Sequence, residues 1–204
     1  MARKPAPGTR ERILAVASRL FSIHGVHAVG LQQIIDEAGC GKNLLYREFA
    51  GKDELVVACL HRYRENWMST IEEAGRSAGG DPAGHLVAIV GTLAAVTSSA
   101  DYPGCPVHKA YAEFPEAGHP IRQASTEHFE ATRAVLHDLA ARAGAPEPGV
   151  LASRIMLIIH GLSTNPAALG APAVPAAVAF AEDLVRDALR PSTPARTHAA
   201  GRAG

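Results

Sequence analysis

Residues 31–49 read LQQIIDEAGCGKNLLYREF and run on into AGKDEL at 50–55. Leu31, Ile34, Ile35 and Ala38 recur at i, i+3, i+4 and i+7, one apolar stripe at helical period. Gly39 follows the last periodic residue, where a left-handed C-cap is wanted. A second helix starts at Lys42, with Leu45 and Phe49 facing inward. Asn43, Leu44 and Arg47 face the other way, with Lys42 and Tyr46 on the flank. A helix this short survives only when its inner face is packed. Its outer face carries an amide, a guanidinium, an ammonium and a phenol, with Glu48 as the lone acid. That face suits a polyanion with hydrogen-bonding edges, and it fits a helix-turn-helix whose second helix enters the DNA major groove. The spacing alone fits equally a helix pair whose polar face is simply solvated.

A chain of 204 residues has room for one large or two small domains, each with a core. Apolar residues make up 47% and strand formers are sparse beside Ala and Leu, which points to an all-helical globular protein. The net charge is zero but unevenly spread. Residues 1–52 hold eight Lys or Arg against four acids, a surplus of +4 that the remainder reverses. A basic N-terminal module on an acidic body fits a chain that meets nucleic acid at one end. No apolar run approaches the ~20 residues of a membrane span, since the strongest, 155–159, is followed by His160. The N-terminus lacks a secretory apolar region, and Cys40, Cys59 and Cys105 are an odd, scattered set. A cytoplasmic protein without a disulfide framework is therefore expected.

Taken in order, residues 1–8 read as a flexible arm carrying Arg3 and Lys4. Thr9 is the expected N-cap of a helix to about residue 24, which buries Ile13, Val16, Ala17, Leu20 and Phe21 and stops at Gly25. Helices over 9–24, 31–38 and 42–48 then make a compact three-helix unit. The stretch from Thr9 to Leu60 resembles the DNA-binding domain of the tetracycline-repressor (TetR) family of bacterial transcriptional regulators. The residues that carry the likeness are Ile13, Leu14, Ala17, Leu20, Phe21 and Gly25, then Ile34, Ala38 and Gly39. Lys42, Leu45, Tyr46, Phe49 and the run Lys52, Asp53, Glu54, Leu55 complete it in one register. Two positions depart from the family pattern: Gly30 and Gly41 stand where Ser or Thr is usual. Glycine at an N-cap costs only about a few tenths of a kcal/mol, so the fold should tolerate both.

The resemblance implies an all-α fold of about nine helices: an N-terminal helix-turn-helix domain over 9–52 and a C-terminal ligand-binding and dimerisation domain over 53–189. It implies double-stranded operator DNA as partner, contacted by Gln32, Gln33, Lys42, Asn43, Leu44, Tyr46, Arg47 and Lys52. Lys42, Tyr46 and Lys52 suit phosphates; Arg47 and Asn43 suit base edges, and Leu44 a thymine methyl. In the body, helices are expected over 53–76, 85–98, 106–113, 119–143, 147–169 and 173–189, with a loop at 77–84. The helix over 119–143 has a stripe that is unusually polar in its middle, through Ser125, His128 and Thr132. The helix over 147–169 is apolar on almost every face, which demands cover all round. In the family the last two helices pair with their copies, giving an expected homodimer interface of Leu151, Ile155, Ile158, Leu162, Val178, Phe180, Ala181, Leu184 and Val185. Residues 190–204 read as a disordered tail.

Family members sense a small molecule inside the body. Tyr63, Trp67, Cys105, His108, Tyr111, Phe114, His128 and His160 combine aromatic surface with a few polar groups and are the candidate lining residues. The function expected is a ligand-responsive, dimeric repressor of a palindromic operator, with no enzymatic activity, cofactor or metal. No phosphate loop, nucleophile elbow or carboxylate pair is present in the sequence. The alternative kept open rests on Cys105-Pro-Val-His108: a metal- or thiol-dependent enzyme, or a redox sensor whose thiol is activated near a helix start.

Overall fold

A computed structural model describes residues 8–99, 101–164 and 172–190. The arm and tail expected at the two ends therefore lie outside the described residues, save Gly8 and Arg190. Among those described there are nine helices and no strand. The head is built from α1 (Thr9–His24), α2 (Leu31–Glu37) and α3 (Lys42–Glu48). Thr9 does not cap α1: Gly8 takes that position, and Thr9 is the first helical residue, buried against the core. The helix stops where Gly25 turns to φ +82°, its N–H still donating to the Phe21 carbonyl at 2.9 Å. At the end of α2, Gly39 (φ +58°) lets the chain turn back, and Cys40 N–H donates to the Ile35 carbonyl at 3.1 Å. Ile34, Ile35, Ala38, Leu45 and Phe49 are all buried against Ile13, Ala17, Leu20 and Phe21 of α1.

The body follows as α4 (Lys52–Ser77), α5 (Pro82–Thr97), α6 (Pro106–Glu113), α7 (Pro120–Arg142), α8 (Pro148–Thr164) and α9 (Ala173–Ala188). Four of these begin with proline, whose fixed φ and missing N–H cost nothing in the first turn. That is why α5 starts at Pro82 instead of beyond an expected loop to residue 84; Asp81 caps it by accepting from Ala83 and Gly84 N–H at 3.1 and 2.8 Å. The α8 helix is described only to Thr164, so the expected continuation to 169 lies outside the described residues.

Two apolar cores result. One holds the head together with Leu55, Val56, Cys59 and Leu60 of α4, Val107 and Ala110 of α6, and Ile121 of α7. The other joins α5, α7, α8, α9 and the far end of α4, and Phe129 packs against both. The head core therefore runs past residue 52, and the short helix α6 is buried in it. Helix α8 is not exposed on every side to a partner. Leu151, Ile155, Ile158 and Leu162 are buried in their own chain, as are Ala181 and Val185 of α9. The reason is geometric: α5, α7 and α9 already surround α8 on three sides. The apolar side chains that remain outside are Leu157 at 71% exposure, Phe180 at 56% and Val150. No described helix is long and apolar enough to cross a membrane.

Candidate DNA interface and body cavity

The outer face of α3 is what its sequence implies. Lys42, Asn43, Tyr46 and Arg47 are exposed while Leu45 is fully buried beneath them. Lys42 Nζ lies 5.9 Å from the Tyr46 ring, placing ammonium and phenol together on one flank. Leu44 is half-buried and Lys52 opens α4, also half-buried. Gln33 is exposed at the start of α2, whereas Gln32 has its amide on Asp36 Oδ1 at 2.8 Å. Part of the basic surplus is also engaged within the head. Arg12 Nε donates to the Ala38 carbonyl at 2.8 Å, Arg19 pairs with Glu37, and the Arg10 guanidinium sits 4.9 Å from the Phe49 ring. All three remain exposed while they tie α1 to the end of α2 and to Phe49 after α3.

Six of the eight candidate lining residues converge on one small cavity between α4, α6, α7 and α8: Tyr63, Trp67, Cys105, His108, His128 and His160. It measures only about 20 Å³, room for a water molecule or so in this conformation. Tyr111 and Phe114 lie elsewhere. The Arg122 guanidinium covers the Tyr111 ring at 3.2 Å, and Phe114 stacks on His27 at 4.7 Å, at the seam with the head. The polar stripe of α7 is explained here: Trp67 Nε1 donates to Thr132 Oγ1 at 3.0 Å, and the Thr132 and Ser125 hydroxyls donate to carbonyls one turn back.

His108 and His160 stack with nitrogens 2.7 Å apart. Thr164 Oγ1 donates to the His160 carbonyl at 2.8 Å and so can only accept from His108 Nδ1–H, at 3.4 Å. His108 Nε2 then accepts from His160 Nδ1–H, which leaves the His160 Nε2 lone pair available. Burial, and then the proximity of His160, pushes His108 down to about 4; burial first does the same to His128, also to about 4. His160 is lowered as well, chiefly by burial. His128 Nδ1 is buried with no hydrogen-bond partner among the described residues. Among the described residues no Lys, Arg, Asp or Glu lines the cavity, so the wall they form is uncharged at neutral pH. Although Cys105 sits at the N-cap of α6, burial pushes its thiol up, not down. Among the described residues no three His, Cys, Asp or Glu converge so as to hold a metal ion.

The same short α6 also grips the head. Lys109 Nζ donates to the Ser22 carbonyl at 2.5 Å, at the end of α1. Glu113 accepts from Val26 N–H at 2.9 Å and His27 N–H at 2.6 Å, just beyond it. The nine residues from the Cys105 N-cap to Glu113 thus carry two cavity-lining side chains, Cys105 and His108, and two that clasp the end of α1 and the turn beyond it.

Residues 13–59 match the family model described as bacterial regulatory proteins, tetR family. The HTH-type transcriptional regulator LmrA of Bacillus subtilis is 32% identical over 141 residues, covering 68% of this chain and 74% of LmrA. The chain belongs to the TetR family. A solved TetR-family regulator, SCO4454 of Streptomyces coelicolor, superposes with a TM-score of 0.82 at 26% identity, over 89% of this chain and 96% of that one. The HTH-type transcriptional activator FasR of Mycolicibacterium smegmatis is 39% identical over 75 residues, which span 34% of its length.

As a TetR-family member the chain is a DNA-binding transcriptional regulator and not an enzyme, which overturns the enzymatic alternative. The redox variant of that alternative rested on a thiol activated near a helix start, whereas burial raises the Cys105 thiol. Sequence reading missed the Phe129, Met156, Ile159 and Leu93 side chains of the cavity wall, which look like ordinary core at helical period. It missed Lys109 and Glu113 for a different reason: each lies more than 80 residues from the backbone groups it binds.

Proposed function

We propose that this TetR-family regulator is a ligand-responsive homodimer, a repressor that holds a palindromic operator and lets go when a small molecule enters the body cavity. The observation that carries the reading is the double engagement of α6. A ligand that enlarges the cavity on the side of Cys105 and His108 displaces α6, and α6 cannot move without pulling on Ser22 of α1 through Lys109 and on the turn beyond α1 through Glu113. A ligand acts by favouring the conformation in which the cavity is open; equal affinity for both conformations would shift nothing. The uncharged wall, with a free His160 lone pair and aromatic faces, favours an uncharged, partly aromatic effector.

In this reading 9–52 is the DNA-reading head and 53–189 the sensing and pairing body, at work in the bacterial cytoplasm where the operator is. Lys42, Tyr46 and Lys52 seat phosphates, Asn43 and Arg47 read bases, and Gln33, Gln32 and Leu44 border the groove. The pairing surface is redrawn from the burial pattern. Leu157 and Val150 of α8 join Phe180, Val178 and Leu184 of α9, while the six buried residues named above support it from within. Pairing of these helices across a two-fold axis places two α3 helices about 34–36 Å apart, one turn of DNA.

The test is an operator-release assay on a duplex selected by the protein from random sequence. An uncharged aromatic compound that releases the wild type should need at least about tenfold more ligand with His160→Leu, which removes the free acceptor. Release of that variant at the same ligand concentration would place the effector elsewhere.

A further inference from the structure

A second cavity lies outside the site just described, at the junction of head and body. It measures about 110 Å³ and opens between α1 and α4 with α6 as its floor. It exists because small side chains face one another across the seam: Ser18 and Ser22 on α1, Cys59 on α4 and Ala110 on α6. Phe21, Val26, Val56 and Leu60 make an apolar interior, all of them buried. The rim is polar, with Ser18, Ser22, Asn66 and Arg62. No Asp or Glu lines it, and Arg62 makes no hydrogen bond or ion pair among the described residues. Burial raises the Cys59 thiol to about 11, so it offers Arg62 no counter-charge. An unpaired guanidinium beside hydroxyls, over an apolar hollow, recognises a carboxylate that carries a compact hydrocarbon tail.

We propose that this junction cavity is a binding site for a small monocarboxylic acid, its carboxylate on Arg62 with the Ser18 and Ser22 hydroxyls, and its tail between α1 and α4. A 150 Å³ apolar cavity accepts benzene, so a volume near 110 Å³ accepts a branched tail of about four carbons. The site is distinct from the effector cavity, with Tyr63 as the shared wall. It does not depend on the operator reading, because the test measures binding to the free protein.

Isovalerate and its neutral amide, isovaleramide, are titrated by calorimetry into wild type, Arg62→Gln and Ser22→Leu, with circular dichroism melts confirming that each variant is folded. Wild type should bind the acid saturably and at least roughly tenfold more tightly than the amide. Arg62→Gln, on the rim and outside the core, should erase that preference, and Ser22→Leu should abolish binding of both. Absence of saturable binding to wild type up to about 20 mM overturns the proposal. So does an acid that binds no better than its amide, or one whose affinity survives Arg62→Gln, since it must then occupy another site.

Discussion

Replacing Glu113 by Ala should loosen the head from the body by an amount that the geometry sets. The carboxylate accepts from Val26 N–H at 2.9 Å and His27 N–H at 2.6 Å, and no other group reaches both. Hydrogen bonds to a charged acceptor contribute about 1.5–3 kcal/mol each. The His27 N–H is exposed and regains water when the carboxylate is lost, so its share falls towards zero; the Val26 N–H is part-buried and does not. The expected cost is therefore about 1.5–3 kcal/mol in urea unfolding, with the denaturant slope unchanged. Glu113→Gln should recover about half, since its amide oxygen can accept one bond while its NH₂ faces the other donor. Hydrogen exchange at the Val26 and His27 amides reports the clasp directly and should accelerate in both variants. A loss below about 0.5 kcal/mol with unaltered exchange at these amides would refute the clasp, and with it the coupling path through α6.

The DNA face gives a paired expectation: Arg47→Ala should cost about 1–3 kcal/mol on the selected operator and little on random DNA, whereas Lys42→Ala should weaken both and flatten the salt dependence by about one unit. Equal losses for both variants on both DNAs would sink the division between reading and holding. His128, buried with a pKa near 4, stays neutral in the fold while the unfolded chain takes up its proton near pH 6.5. Its contribution to stability is thus complete above about pH 6.5 and is lost as pH falls towards 4; urea unfolding should record at least roughly 2 kcal/mol less at pH 5 than at pH 7.5. His108, also near 4, adds its own share in the same window, so His128→Phe should remove about 2 kcal/mol of the loss and leave the remainder, and a slope that persists unchanged would assign it to other groups. Asp in place of Leu157 or Phe180, the two most exposed large apolar side chains on α8 and α9, should leave folded monomers by sedimentation, a result that a surviving dimer of either variant would contradict.

Much of the fold was legible because it rests on local signals. The period of Ile13, Ala17, Leu20, Ile34, Ala38 and Leu45, and the turns at Gly25 and Gly39, name the head helices to within a residue or two. The convergence of Tyr63, Trp67, Cys105, His108, His128 and His160 was also foreseeable, since polar and aromatic groups on otherwise apolar faces must meet somewhere. What sequence could not show is direction. Ile155 and Leu157 are equally apolar, yet one is buried and the other 71% exposed, because only the packing of α5, α7 and α9 decides which side of α8 is outside. Thr9 resembles a cap, but Gly8 occupies that position and Thr9 is buried as the first helical residue. Arg10, Arg12 and Arg19 count as basic surface in a charge sum and serve as struts in space.

The central claim is that two copies of this chain place matched α3 helices in successive major grooves of one duplex. Sedimentation of the protein with its selected operator, repeated on duplexes whose half-sites are moved apart by one to five base pairs, tests it most directly. Two chains per duplex are expected, with affinity that collapses at half a helical turn of added spacing. One chain per duplex, or an affinity indifferent to spacing, would contradict it.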